Sequence, residues 1–222
     1  MKKRIFTLAI VTFMSVFSAM NLTAQDNKMS MEKKQMKSEM PDLSSWPEAS
    51  RMAAKEMMEK YGNPDVMNPE VLAWFNKGQW KKIHVTKMES KHSFPVEHTD
   101  MLEQCISYMV PVEKMSQLGQ FDGSITFDRT QGLMSARCDV EANNILALNL
   151  ANDIVTGKKS VEEARKAYGE IVKEKMNGGN PAYMQKLSFS PESKMVGDPD
   201  INTTGLTKAD VMKGMQKTGK NN

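Results

Sequence analysis

Beyond residue 20 this sequence has no long apolar run, and once its amino terminus is set aside it has no excess of charge of one sign. The first absence excludes a later membrane-spanning helix. The second removes the compositional case for nucleic-acid binding. Lys and Arg number 30 against 27 Asp and Glu, but three of the basic residues are Lys2, Lys3 and Arg4, and without them the signs balance. Basic and acidic groups are interleaved elsewhere, with no aromatic–basic stripe. Cysteine is scarce, at two residues, and no C-x-x-C pair is present to support dithiol redox chemistry. No Ser or Cys lies in a recognisable elbow or triad signature. There is no internal repeat of the kind that builds solenoids.

What is present begins with an export signal. Lys2, Lys3 and Arg4 form a positive start, Ile5 to Met20 follows uncharged, and Ala24 precedes the expected cut before Gln25. Those sixteen apolar and small polar residues would span only ~24 Å as a helix, short of the ~30 Å hydrocarbon core. Residues 1–24 are therefore expected to be a cleaved signal peptide, giving a soluble product in a periplasm or outside the cell, with no integral membrane segment after cleavage. Residues 25–42 form a segment rich in Met, Lys and Glu, and 190–222 a polar tail with little to bury. Both are expected to be flexible. Within the tail, Leu206 to Met215 reads as a short helix capped by Thr207 with Asp210 three residues on.

The folded part is expected over 43–189 as one α+β domain, a small four-stranded, mostly antiparallel sheet packed against two or more helices. A helix begins near Ser50 and stops at Gly62, and Asn68-Pro69 reads as the start of a second one carrying Trp74 and Phe75. From Trp80 the period changes to two, which predicts a strand through Ile83 and Val85. Ser90 to Thr99 reads as the loop to a second strand over 101–109. Pro111 opens a short helix to Leu118, and strands follow at 124–127 and 133–138. Asp139 is placed as the cap of a helix to Val155, apolar around more than half its circumference and therefore buried on most sides. Ser160 and Glu163 form a capping box for a last helix ending at Met176.

Several residues carry possible chemistry. Cys105 and Cys138 lie on predicted strands, and in an oxidising compartment a structural disulfide is expected, with an unfolded-state effect of ~3–4 kcal/mol; two separate buried thiols are the alternative. His84, His92 and His98 lie close together, with Glu97, Asp100 and Glu103 nearby. His92 and His98 flank Phe94-Pro95, so both can face one cavity and hold a divalent ion, although the spacing matches no metal motif. A ligand pocket lined by Trp74, Trp80, Phe94 and Tyr108, edged by His92 or His98, is a second possibility. Methionine is the compositional outlier, at 21 residues. Met29, Met31, Met36 and Met40 could bind Cu(I) through soft thioethers, or Met serves as a pliable gap filler.

The Thr23-Ala24-Gln25 end of the signal, with His92-Ser93-Phe94-Pro95, Phe121-Asp122-Gly123 and the run Ala147 to Ala151, resembles a family of exported proteins of the Bacteroidetes type. The resemblance implies export and brings no catalytic residue. Three functions follow as expectations. The first is a non-enzymatic binding or accessory domain of the cell envelope, meeting a small ligand or an envelope protein and no nucleic acid. The second is copper handling by the Met-rich segment, and the third a metal-assisted hydrolase built on the His92/His98 loop. No cofactor is specified by the sequence.

Overall fold

The computed structural model describes residues 42–191 and 196–218, and the chain divides into two compact units, Met1–Ser44 and Ser45–Asn222. The described part of the first is a local turn in which the Ser44 amide donates to Asp42 Oδ1 at 2.9 Å. The expected signal peptide, and the Met-rich segment up to residue 41, lie outside the described residues. No helix among the described residues is long and apolar enough to cross a membrane.

The second unit is α+β. Its elements are α1 (Glu48–Tyr61), β1 (Val66–Met67), β2 (Val71–Lys77), β3 (Trp80–His92), β4 (His98–Ser107), α2 (Val112–Phe121), β5 (Ile125–Asp128), β6 (Leu133–Cys138), α3 (Glu141–Val155), α4 (Val161–Met176), a 3-10 turn at Ala182–Met184, and α5 (Lys208–Thr218). The strands form one open antiparallel sheet in the order β1-β2-β3-β4-β6-β5. Six strands replace the expected four, because the Asn68 segment is a hairpin and not a helix start. Asn68 Oδ1 accepts from the amides of Glu70 and Val71, both at 2.9 Å. An N-cap makes the same kind of bond, but here it closes the turn between β1 and β2, and Trp74 lies on a strand.

Register fixes which side chains share a face. Leu72, Val85, Leu102 and Cys138 form one cross-strand row, and Trp74, Ile83, Gln104 and Ala136 form the next. Helices cover this face: Gln104 Nε2 approaches Met57 of α1 at 3.8 Å, and Asn144 of α3 donates to Gln104 Oε1 at 3.1 Å and to the Leu102 carbonyl at 3.0 Å. The alternate rows, Ala73–His84–Glu103–Arg137 and Phe75–Lys82–Cys105–Ser135, make the other, more polar face. α3 is buried nearly all round, as its wide apolar arc requires, and α4 packs beside it, burying its own Ala164 and Tyr168. Ser160 and Glu163 do form the capping box of α4, and Thr207 and Asp210 form one for α5.

Two expectations are corrected, the first by the register. Cys105 and Cys138 are separate, buried thiols. Cys105 stands opposite Ser135 and Cys138 opposite Leu102, so the two lie three positions apart along the ladder. At ~3.3 Å per residue that is ~10 Å, beyond the ~7 Å limit for a bridge, and an odd offset points them to opposite faces. Asp139 does not cap α3 either. The N-cap residue is Val140, without a side-chain bond, and the Asp139 carboxylate instead accepts from Asn143 Nδ2 at 2.8 Å.

A buried carboxylate ties α1 to the sheet. Glu141, 3% exposed, accepts from Trp80 Nε1 at 2.7 Å, Tyr61 Oη at 2.5 Å and Lys60 Nζ at 2.5 Å. In the β5–β6 turn, Arg129 pairs with Asp198 and Asp200, holding Val196–Asp200 against it. Gly132, at φ +66°, permits this approach, since a Cβ there would lie 2.7 Å from Gly197 N.

Replacing Glu141 by Ala leaves the Tyr61 hydroxyl and the Lys60 ammonium without their acceptor and Trp80 Nε1 with only its 2.9 Å bond to Tyr61 Oη. The expected loss is roughly 2–4 kcal/mol in urea unfolding, against less than half of that for exposed Glu59→Ala. Unfolding without reductant is expected to expose two thiols to a colorimetric thiol reagent; finding none would restore the disulfide.

Candidate metal centre

The β3–β4 hairpin carries the sequence His92-Ser93-Phe94-Pro95-Val96-Glu97-His98-Thr99-Asp100 across its tip. The expected loop over Ser90–Thr99 is shorter than the sequence reading allowed: β3 runs to His92, β4 starts at His98, and these two residues are directly paired. Opposed residues of an antiparallel pair share a face, as do residues two apart on one strand. His92, His98 and Asp100 therefore converge, with imidazole centroids 5.0 Å apart. Upstream, the ladder slips between Val85 and Ser90. This bulge sends Glu89 to α1, where its Oε1 accepts from the Ser50 amide and hydroxyl at 3.2 and 3.1 Å.

Asp100 is the centre of the cluster and is 1% exposed. Its Oδ2 lies 3.3 Å from His92 Nδ1 and accepts from the Ser124 hydroxyl, and its Oδ1 lies 3.0 Å from His98 Nε2. That last contact is an ion pair that falls outside hydrogen-bond geometry. One donor from each of His92, His98 and Asp100 lies within 4.8 Å of the other two. The outer nitrogens of both rings are also engaged. His98 Nδ1–H donates to the Val96 carbonyl at 2.8 Å, and His92 Nε2 faces Asp122 Oδ1 at 3.6 Å. Asp122 is itself fixed by accepting from the Ser124 amide at 2.8 Å. Cys138 closes the far side, its Sγ 3.3 Å from His98 Nε2 and 3.2 Å from Asp139 Oδ1.

The electrostatics follow from this packing. The close contacts with Asp100 and Cys138 push His98 up to about 11, against a smaller opposing effect of burial. Burial pushes Asp100 upward, but the His98 contact, the Ser124 hydroxyl and the charges of both imidazoles more than offset it, leaving the carboxyl below the usual range. Burial raises the Asp122 carboxyl and the Cys138 thiol.

The other sequence candidates do not assemble into one pocket. Trp74 and Trp80 are core residues, 0% and 1% exposed, donating to the Gly62 carbonyl at 2.8 Å and to Glu141. Tyr108 donates to Asn152 at 2.9 Å and packs on Phe189. Only Phe94 adjoins the histidines, tilted against Tyr168 at 5.1 Å and under the Arg165 guanidinium at 3.9 Å. A groove of ≈ 390 Å³ between α1 and the start of α3 touches Met52, Glu56 and Asp139, and a depression of ≈ 210 Å³ on the polar face touches His84 and Cys105. Neither is lined by the four aromatics. Met29, Met31, Met36 and Met40 lie outside the described residues. Sequence reasoning missed Asp122, Ser124 and Cys138 as neighbours of the histidines. The available signal was Asp100, two residues from His98 on an alternating strand.

No family model, no curated protein and no solved structure matches the chain, so the chemistry must be read from the residues themselves. Asp100 and Cys138 approach the same nitrogen of His98. In a nucleophilic triad the carboxylate and nucleophile occupy opposite nitrogens, so the arrangement is not a Cys–His–Asp relay. Convergence of donors on one side, with outer partners holding the remaining nitrogens, is what metal ligation requires.

In metal-free protein the pairing should make stability pH-dependent. His98 titrates near 6.5 when unfolded and about 11 when folded. The folded state therefore keeps a proton that the unfolded chain loses, and the stabilisation is complete below pH 6.5 and lost as pH rises toward 11. Asp100, lowered from 3.8, removes its contribution as pH falls below that value. The difference in urea stability between wild type and His98→Gln is expected to be greatest between these limits, at pH 4–6.5, and to vanish toward pH 11.

Proposed function

We propose that this chain is an exported, non-enzymatic metal-binding protein whose centre is His92, His98 and Asp100. The observation that carries the reading is the convergence of His92, His98 and the buried Asp100, one donor from each within 4.8 Å of the other two. Asp100 Oδ1 lies 3.0 Å from His98 Nε2 but outside hydrogen-bond geometry, and a bound cation would give both atoms a common partner. Two nitrogen donors favour a transition ion over Mg²⁺ or Ca²⁺, which take oxygen ligands. Asp122 and the Val96 carbonyl are the outer partners that orient the rings. Export rests on the sequence of the first 24 residues alone.

Binding is favoured over hydrolysis by the surroundings of the ligands. A catalytic ion keeps an open position for water beside a free general base. Here the His92 and His98 side chains are only 17% and 15% exposed, the Ser124 hydroxyl is committed to Asp100, and Asp122 is 4% exposed and bonded to a backbone amide.

Calorimetric titration of EDTA-stripped, purified chain with Zn²⁺ is expected to show one equivalent bound. His92→Ala and His98→Ala should each weaken affinity by at least about tenfold, and Asp122→Asn by roughly 10–100-fold through lost ring orientation. Wild-type protein that retains no zinc after gel filtration would overturn the reading.

A further inference from the structure

We propose that Cys138 is the fourth donor of this centre, so that the site takes a thiophilic divalent cation of the zinc class and is closed by protein ligands. The inference rests on the metal-binding reading above and deepens it. Cys138 is the last residue of β6, paired with Leu102, two positions along β4 from Asp100. The row that carries Leu102 faces the helices, so the thiol projects to the same side as Asp100 and His98.

Geometry distinguishes Cys138 from an ordinary core thiol. Its Sγ satisfies hydrogen-bond geometry with His98 Nε2 at 3.3 Å, whereas Asp100 Oδ1, nearer at 3.0 Å, does not. Sulfur and carboxylate oxygen therefore both approach Nε2, at 3.3 and 3.0 Å. An ion on Nε2 would meet both. Tetrahedral zinc with bonds of about 2.0–2.3 Å sets neighbouring donors ~3.3–3.6 Å apart, close to the 3.3 Å between sulfur and nitrogen. The Asp139 carboxylate, 3.2 Å from Sγ, can take the thiol proton that ligation releases, after which sulfur binds as thiolate. The set is then two imidazoles, one carboxylate and one thiolate, the soft ligand selecting zinc-class ions over manganese or magnesium.

Cys105 is a control built into the same protein. It sits on the opposite face of the sheet, its Sγ in contact with the Ile106 carbonyl at 3.8 Å, and has no place in the centre.

The test is Co²⁺ binding to reduced, EDTA-stripped chain. Wild type and Cys105→Ser are expected to give a thiolate-to-cobalt charge-transfer band in the near ultraviolet together with visible bands of tetrahedral intensity. Cys138→Ser should lose the charge-transfer band and bind Zn²⁺ more weakly, by at least the roughly 10–100-fold that loss of an outer partner costs. In wild type, one equivalent of Zn²⁺ should protect Cys138 and not Cys105 from iodoacetamide, read by peptide mapping. This measurement needs no variant and stands if Cys138→Ser fails to fold. Visible cobalt bands without a thiolate band, or unprotected Cys138 in zinc-loaded protein, would overturn the fourth-ligand assignment and leave the three-residue centre standing. No metal bound at all would overturn both.

Discussion

The Asp100 carboxylate, buried at the tip of the longest hairpin, is the constraint that this end of the molecule is arranged around. A carboxylate at 1% exposure is tolerable only if charge or hydrogen bonds replace its lost water. The pairing of His92 with His98 supplies two imidazoles, and Ser124, brought in by the start of β5, supplies a hydroxyl. Each of these positions depends on another element. Ser124 is held by the Asp122 turn that ends α2, and His92 is reached only because β3 continues past its bulge. Phe94, between the two histidines, packs against Phe121 of α2 and Tyr168 of α4. The polar cluster thus has an aromatic wall made by two helices, and the hairpin tip cannot shift without disturbing both.

The same device recurs at lower stakes. Glu141 joins Lys60, Tyr61 and Trp80, and Asp153, 0% exposed, accepts from Lys159 at 2.7 Å and Tyr183 at 3.0 Å. In both, every bond comes from a Lys, Tyr or Trp donor, and each locks a helix to its neighbour. Asp100 differs in kind. Its ring neighbours are histidines, whose nitrogens can give up a proton and ligate an ion, and a thiol adjoins them. A purely structural acid has no need of two imidazoles and a thiol beside it.

The helical part of the fold was readable because the local chemistry and the tertiary outcome agree. The apolar arc of Ile145, Leu146 and Leu150 required a buried helix, and the Ser160–Glu163 box and the Gly62 stop are where the sequence put them. β5 and β6 were also legible from their turns. β2 was not, because Asn68-Pro69 offers one side-chain oxygen to two following amides, and that bond serves a helix start and a hairpin turn equally. What decides is the row of Leu72, Ala73 and Trp74 docking on β3, a long-range fact. The site was half legible. Proximity of His92 and His98 was visible, but that they face each other depends on β3 running past a bulge whose size no local pattern specifies.

The cysteines show the same division between composition and register. Two cysteines in a chain expected to be exported suggest a bridge, and both do lie on adjacent strands. An offset of three along the ladder sends one to each face, which turns a symmetrical pair into two different residues. Cys105 is surrounded by the polar face, and burial pushes its thiol up to about 11, so it is held neutral. Cys138 meets the one imidazole nitrogen that also meets Asp100. Contacts with both push His98 upward, and an ion bound there would take the place of the Nε2 proton. His92, His98 and Asp100 already lie close together before any ion arrives, so binding exchanges one cation for another within a frame that the hairpin, β6 and α2 have already set.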